Sequence, residues 1–189
     1  MISDVVSFLR YFEGVHGRTV RDVGSIPPEA ENWKPPPSTD EESSSWGVPD
    51  IVRHIAEARL FFAGAFLGEG WTWDPWPDGL ERSEDWVPAL EKSFAAFSGR
   101  VADAPEERLS AKVDPIGGEG RALSGWRLLM MMAEHEVHHR SQLETYAGLN
   151  GWPVNQLFGR TNEWVVSQRG AEMRDRPEAA THFDGRRDF

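Results

Sequence analysis

Apolar residues recur three and four positions apart in four long stretches of the chain, which is the spacing of one face of an α-helix. The stretches cover residues 2–22, residues 49–68, a segment that begins near residue 83, and residues 123–147. Only a short piece around 109–113 suggests an extended conformation, and no stretch alternates as a strand does. The pattern predicts an all-α fold, most simply a four-helix bundle.

Segments rich in proline, glycine and polar residues separate the predicted helices, so long crossover connections are expected. Residues 24–45 contain five prolines, and Trp33 in their middle predicts a surface connection held in place by one aromatic side chain. Pro49 suits the first turn of the second helix, Ser83 is a candidate N-cap of the third, and Gly148 is expected to end the fourth.

The last part of the chain has a different character. Residues 154–169 predict a short extra C-terminal helix, whereas residues 170–189 are charged and aperiodic, as is typical of a tail. A chain of 189 residues suits one core of good size. We therefore expect a single domain over residues 1–169, followed by a charged tail over residues 170–189.

The fourth predicted helix carries two histidines on one face. With a turn of about 100° per residue, an inward-facing stripe of about 80° contains six residues. They are Leu128, Met132, His135, His139, Gln142 and Tyr146. Residues at i and i+4 stand roughly 5–6 Å apart at Cβ, from where His135 and His139 can reach one ion through bonds of about 2.1 Å. His138 points about 60–100° away and is excluded as a ligand.

A third histidine, His54, points inward from the second helix. By helical spacing it shares a face with Ile51, Ala58, Phe61 and Ala65. A single histidine on an apolar face is most often a hydrogen-bonded core residue, but burying two imidazoles side by side without a shared partner is costly. The sequence therefore predicts one divalent metal ion bound by His54, His135 and His139. Three neutral imidazoles leave an open coordination position, as in catalytic sites.

Residues 135–139 also match H-E-x-x-H, the zinc protease motif in which the glutamate is the general base. A metzincin would continue with Gly and His at the third and sixth positions after His139, where this chain has Gln142 and Thr145. Glu163 lies in the range of a downstream third ligand, but a short helical chain lacks the sheet that such proteases place beside the helix. The protease hypothesis therefore ranks below an open three-histidine centre.

For several other polar residues, the sequence allows both a structural and a functional interpretation. His16, on the apolar stripe of the first helix, is expected to be a polar core residue, with a fourth metal ligand as the alternative. Glu136 and Arg140 are expected to face solvent, with second-shell or subunit contacts as the alternative. Gln142 either orients a ligand or completes a core hydrogen bond. The methionines at 130–132 are expected to fill the core.

Composition narrows the classes of function. The chain has no cysteine, which excludes disulfides, thiolate metal sites and a nucleophilic cysteine. A net charge of −11 argues against a nucleic-acid partner, because such binding depends on Lys and Arg.

No apolar run approaches the about 18 residues of a membrane span, and no signal peptide is recognisable at the start, so we expect a cytoplasmic protein with no membrane partner. Nine tryptophans and ten phenylalanines suit helix packing and an aromatic-lined cavity equally.

Four short segments follow one another in a characteristic order. They are WKPP at 33–36, VRHI at 52–55, HEVHHRSQLETYAGLNG at 135–151 and QLFGRT at 156–161. One histidine in the second helix, followed by H-x-x-x-H with a trailing His-Arg-x-Gln in the fourth, is more specific than any single motif. Over about residues 1–168 the chain resembles the DinB-like (DinB/YfiT) superfamily of helical-bundle metalloproteins.

The resemblance implies a four-helix core, a three-histidine site usually found with zinc or nickel, and frequent homodimer formation through helix faces. Some relatives look like thiol-dependent S-transferases or isomerases that use a thiol such as bacillithiol or mycothiol, and a chain without cysteine fits a low-molecular-weight thiol as cosubstrate. The leading hypothesis is a metal-dependent transferase or hydrolase with a small-molecule substrate. The alternative is a non-enzymatic small-molecule-binding or dimeric bundle whose metal is structural or vestigial.

Overall fold

The computed structural model describes residues 4–36, 45–73, 79–155 and 163–168. Its helices in the first three ranges are α1 (Val5–Gly24), α2 (Val48–Leu67), α3 (Ser83–Ala102), the short α4 (Glu107–Ser110) and α5 (Gly125–Asn150). Single turns of 3-10 helix cover Pro28–Asn32 and Ile116–Gly118. Two antiparallel strands of two residues each, β1 (Lys112–Val113) and β2 (Leu123–Ser124), form the sheet of these ranges. The all-α prediction is confirmed.

Each of the four long helices packs mainly against two of the others. Helix α1 packs on α3 and α5, and α2 packs on the same two helices. Helices α1 and α2 are therefore diagonally opposed, as are α3 and α5. The connections from α1 to α2 and from α3 to α5 must cross to a non-adjacent helix, which is why they are long. Helices α2 and α5, which carry the three predicted ligands, are neighbours.

The helix boundaries confirm some sequence predictions and correct others. Pro49 lies in the first turn of α2, as predicted. Ser83, predicted as the N-cap of α3, is instead its first residue, and its backbone N–H and hydroxyl both donate to Oε1 of Glu31 at 2.8 Å. A distant segment thus supplies the acceptor. Helix α5 continues through Gly148, which was expected to end it, and stops before Gly151, whose φ of 68° forms the left-handed cap.

The fold contains two apolar clusters formed by different parts of the same helices. The first includes Phe8, Phe12, Phe66, Phe97, Leu128, Leu129 and Met132. The second includes Val23, Ile51, Ile55, Trp86, Leu90 and Leu143. Between the two clusters, the long helices contribute buried polar residues. They are His16, Thr19, Arg59, Ser93 and Glu136. A polar layer therefore interrupts the core near the level of the predicted ligands.

The chain divides into two compact units, Met1–Val154 and Asn155–Phe189. In the second unit, residues 163–168 are helical and fall inside the predicted extra C-terminal helix. The predicted tail at 170–189 lies outside the described residues, and the predicted domain boundary at residue 169 stays a prediction. Among the described residues, no helix has both the length and the apolar character needed to cross a bilayer.

Candidate metal centre

The three predicted ligands come together between two neighbouring helices. His54 projects from α2, and His135 and His139 lie one turn apart on α5. The Nε2 atom of His135 is 2.9 Å from Nε2 of His54 and 3.2 Å from Nε2 of His139. One ligand atom from each residue lies within 4.8 Å of the other two. The fold thus brings three imidazole nitrogens to one place, while metal binding itself stays a prediction.

Hydrogen bonding among the rings cannot satisfy these contacts fully. The Nε2 atom of a neutral imidazole has either one N–H or one lone pair, but Nε2 of His135 faces two nitrogens. Direct hydrogen bonds can therefore satisfy only one of the two contacts. A cation between the three nitrogens would accept a lone pair from each ring, and the cluster has the arrangement that this requires.

The spacing and the donor type both fit a divalent transition metal ion. Ligands of a tetrahedral ion with bonds of about 2.05 Å stand about 3.3 Å apart, close to the observed separations of 2.9 and 3.2 Å. Neutral imidazoles suit zinc, nickel, copper and iron, whereas calcium and magnesium prefer oxygen ligands. The residues present therefore fit a borderline metal with three nitrogen ligands.

The local environment keeps the imidazoles in the form that binds metal. Burial, followed by the nearby histidines, lowers the pKa of His135 to about 3. Burial and the charge of His139 lower the pKa of His54 to about 4. Burial also lowers the pKa of His139. All three rings are therefore neutral near pH 7, with lone pairs available.

Gln142 orients one of the rings. The Nδ1–H of His139 donates to Oε1 of Gln142 at 2.7 Å. This contact places the proton of His139 on Nδ1 and leaves the lone pair on Nε2, the atom that faces the other histidines. The sequence left two interpretations of Gln142 open, and the structure favours the orienting one.

Two tryptophans lie beside the histidines of the centre, and we call this pair the aromatic mouth. The ring of Trp46 lies 4.7 Å from that of His54 and 6.0 Å from that of His139, and Trp73 lies 6.3 Å from His54, measured between centroids. Trp46 is 40% exposed and Trp73 is 50% exposed. His54 and His135 are themselves only partly buried. The centre is therefore partly open to solvent through His54 and His135, whereas His139 is buried.

The histidines lie at the edge of the buried face of α5, whose middle contains Leu129, Ala133, Glu136, Arg140, Leu143 and Ala147. Because α5 packs against both α1 and α2, it buries a wider arc than one stripe. The prediction that Glu136 and Arg140 face solvent is therefore wrong, since they are only 2% and 4% exposed. Arg140 lies 3.5 Å from Asp22 of α1 and 3.4 Å from Glu144.

Arg59 forms the centre of the polar layer beneath the histidines. Its Nε donates to Oε2 of Glu136 at 2.9 Å, and its Nη2 donates to Oε1 at 2.7 Å. Its Nη1 donates to the carbonyl of Leu90 and to the hydroxyl of Ser93, and the hydroxyl of Thr19 donates to Glu136. One buried guanidinium and its partner carboxylate thus connect all four long helices.

These contacts also bear on the protease motif. In that motif the glutamate acts as general base at the metal, but Oε1 and Oε2 of Glu136 are both engaged by Arg59. Glu163 belongs to the second unit. The match to H-E-x-x-H therefore combines two predicted ligands with a buried glutamate that pairs with Arg59.

His16 belongs to this polar layer and is not part of the three-histidine group. Its Nδ1 accepts from Nη2 of Arg59 at 3.1 Å, and its Nε2–H donates to Glu91 at 3.0 Å. Burial, followed by the positive charge of Arg59, lowers the pKa of His16. These contacts support the prediction that His16 is a polar core residue and not a fourth metal ligand. His138, which was excluded as a ligand, is exposed.

Neither the burial of Arg59 nor the position of Trp46 was predicted from the sequence. An arginine inside the apolar run of α2, directly before LFFAGAF, is a signal that a buried partner exists. Trp46 carried no comparable signal, because its position beside His54 depends on how the chain enters α2. The two described tryptophans of the loop after α2 have different contacts. Trp71 donates a hydrogen bond to the carbonyl of Asp114 at 2.7 Å, whereas Trp73 lies beside His54.

The fold and the site define a four-helix bundle with a three-histidine cluster that could hold a metal ion. The DinB family model matches residues 1–172, and the chain belongs to the DinB family. An uncharacterized Bacillus subtilis (strain 168) protein, YjoA, is 28% identical over 104 residues, which are 54% of this chain and 66% of that protein, just under two thirds of its length.

Two crystal structures have the same fold. A DinB-like protein from Bacillus subtilis, YjoA, aligns with a TM-score of 0.60 and 21% identity, covering 76% of this chain and 91% of that one. A DinB-like protein from Bacillus cereus ATCC 10987 aligns with a TM-score of 0.62 and 18% identity, covering 82% of this chain and 99% of that one. These likenesses support the predicted bundle.

Proposed function

We propose that this protein is a metal-dependent enzyme of the thiol S-transferase or hydrolase type that acts on a small molecule. One divalent ion, zinc or nickel, would be held by His54, His135 and His139. The observation that carries the proposal is the convergence of three Nε2 atoms between α2 and α5, where two of the three histidines are only partly buried. Three ligands of this kind leave a position for water or substrate.

The residues of this chain have separate tasks in that scheme. When bound, the ion would act as a Lewis acid that lowers the pKa of a thiol or water and holds it near an electrophile. Gln142 fixes the tautomer of His139. The buried pair of Arg59 and Glu136 holds α2 and α5 in register, so that His54 meets the two histidines of α5. The aromatic mouth would contact a substrate that approaches the centre past Trp46 and Trp73.

Because the chain has no cysteine, the sulfur atom in a thiol transfer reaction would have to come from a second molecule. With no thiol of its own, the protein would use a low-molecular-weight thiol as cosubstrate in a transfer reaction. In such a reaction the thiol sulfur bonds to an electrophilic carbon, a leaving group departs with its electron pair, and the thiol proton passes to solvent. In a hydrolase the oxygen of water takes the place of sulfur.

Metal content of protein purified without a histidine tag tests the first part of the proposal. We expect about one zinc or nickel ion per chain by elemental analysis, and a loss of most of it in His135→Ala, because two ligands hold an ion far less tightly than three. His138→Ala is the matched control, since His138 is a neighbouring but exposed histidine. Wild-type protein without stoichiometric metal, or equal loss in both variants, would contradict the proposal.

A measurement of catalytic turnover distinguishes an enzyme from a protein that only binds a small molecule. A mouth formed by two exposed tryptophans also suits non-enzymatic binding of an apolar molecule. Metal-loaded protein is offered small thiols together with epoxide or halogenated electrophiles, and His135→Ala is measured beside it. A rate above that of buffer that disappears in the variant supports the enzyme, whereas ligand binding without any such rate favours the module.

A further inference from the structure

We propose that Trp46 and Trp73 form a subsite for a flat, uncharged aromatic group of the substrate, carried by a molecule whose donor atom binds the metal. The inference rests on the proposed metal centre and adds the class of ligand that it selects.

The two indoles flank the same histidine. Trp46 lies 4.7 Å from His54 and is nearly parallel to His139, with an interplanar angle of 26°. Trp73 is nearly parallel to His54, with an angle of 28°, and its ring lies 5.5 Å from that of Phe61. A ligand that binds an ion held by the three histidines and approaches past His54 would therefore place a neighbouring substituent beside these rings.

The exposure of the two rings is not explained by a role in holding the fold together. Trp86 is fully buried and donates its indole N–H to the carbonyl of Leu80, and Trp71 donates to Asp114. Within the described part of the chain, the indole N–H groups of Trp46 and Trp73 have no such acceptor. Large aromatic surface left in water beside a polar centre is typical of a ligand site.

The chemistry around the mouth determines the class of ligand. Among the described residues, the ring contacts of the two indoles are with imidazole and phenyl rings, which favour stacking and burial of apolar area. A strongly anionic group such as a nucleotide phosphate would need basic side chains, and the chain as a whole carries a net charge of −11. The ligand that fits is small, with one metal-binding donor group next to a planar apolar ring.

Two hydroxamic acids that differ in one group test this subsite. Benzohydroxamate and acetohydroxamate bind metal through the same atoms, but only the first has an aromatic ring. Their affinities are measured by calorimetry on metal-loaded wild-type protein and on Trp46→Ala, Trp73→Ala, Trp46→Phe and Trp126→Ala. The intrinsic preference of the metal for either acid cancels when the affinity ratio of a variant is divided by that of the wild type.

We expect the ratio of benzohydroxamate to acetohydroxamate affinity to fall about 3- to 10-fold in Trp46→Ala and in Trp73→Ala, with acetohydroxamate affinity nearly unchanged. Trp46→Phe should keep part of the preference. Trp126 is the matched control, because it is 51% exposed and lies on α5 nine residues before His135. Its replacement should leave the ratio unchanged.

The failures of the two proposals are distinguishable. If the protein holds metal and both acids weaken equally in the tryptophan variants, or the ratio does not move, the aromatic subsite is wrong and the metal centre stands. If the wild-type protein holds no metal, the metal centre is wrong, and this inference falls with it. Elemental analysis of each variant separates these cases.

Discussion

At the scale of single residues, the hydrogen bond between His139 and Gln142 determines which nitrogen of the imidazole is available. The contact is 2.7 Å long and joins residues three positions apart on α5. It holds the ring in place before any ligand arrives. Partners of this kind raise ligand basicity, and their loss commonly weakens metal binding by about 10- to 100-fold.

We therefore expect Gln142→Leu to weaken metal binding about 10-fold or more, with little change in the helical circular dichroism spectrum. Competition with a chromophoric chelator measures the affinity. Ser141→Ala is the control, because Ser141 is exposed and its hydroxyl only donates to a carbonyl of its own helix. Equal affinities in the Gln142 variant and the wild type would show that the contact does not serve the ligand.

The sequence shows part of this arrangement because spacing along one helix is a local property. His135, His139 and Gln142 fall on one stripe at steps of four and three residues, and the structure places them there. The choice between an orienting and a core role for Gln142 needed the direction of its side chain, which spacing alone does not give.

At the scale of helices, the buried pair of Arg59 and Glu136 links the two elements that carry the ligands. The arginine follows His54 by five positions and the glutamate follows His135 by one. Their side chains are 1% and 2% exposed and form a bidentate contact. Removing one member of such a pair leaves an uncompensated charge in the core.

We predict that Arg59→Ala lowers the free energy of unfolding by about 3–5 kcal/mol, measured by urea denaturation of metal-free protein. Arg127→Ala is the matched control, since Arg127 pairs with Glu134 on the surface of α5, and exposed pairs contribute about 1 kcal/mol or less. A similar small effect for both variants would show that the buried pair does not hold the helices together.

At the scale of the whole molecule, four partly or fully buried histidines make stability depend on pH. The pKa of His54 is lowered to about 4 and that of His135 to about 3, and the pKa values of His16 and His139 are also lowered, with burial the largest cause each time. Below the ordinary value of about 6.5, the unfolded chain takes up protons that the folded chain does not. Acidification therefore favours unfolding.

We expect the urea midpoint of metal-free protein to fall steadily as pH is lowered from about 7 to about 5, a window above the ordinary pKa of carboxylates. His135→Asn should show a shallower decrease, because one suppressed proton-binding group is gone. Added zinc should raise the midpoint at pH 7 by binding only the folded form. A midpoint that is flat or rises on acidification would contradict this account.

The sequence by itself determined the helices and the face on which each candidate ligand lies, because periodicity and turn residues act over a few positions. It therefore sufficed to name His54, His135 and His139 as candidate ligands, which the fold brings together. Only the tertiary structure decided that Glu136 and Arg140 are buried, that Glu31 caps α3 and that Trp46 borders the centre. Each of these depends on a partner far away in the chain, and which helices become neighbours is decided by the packing of all of them together.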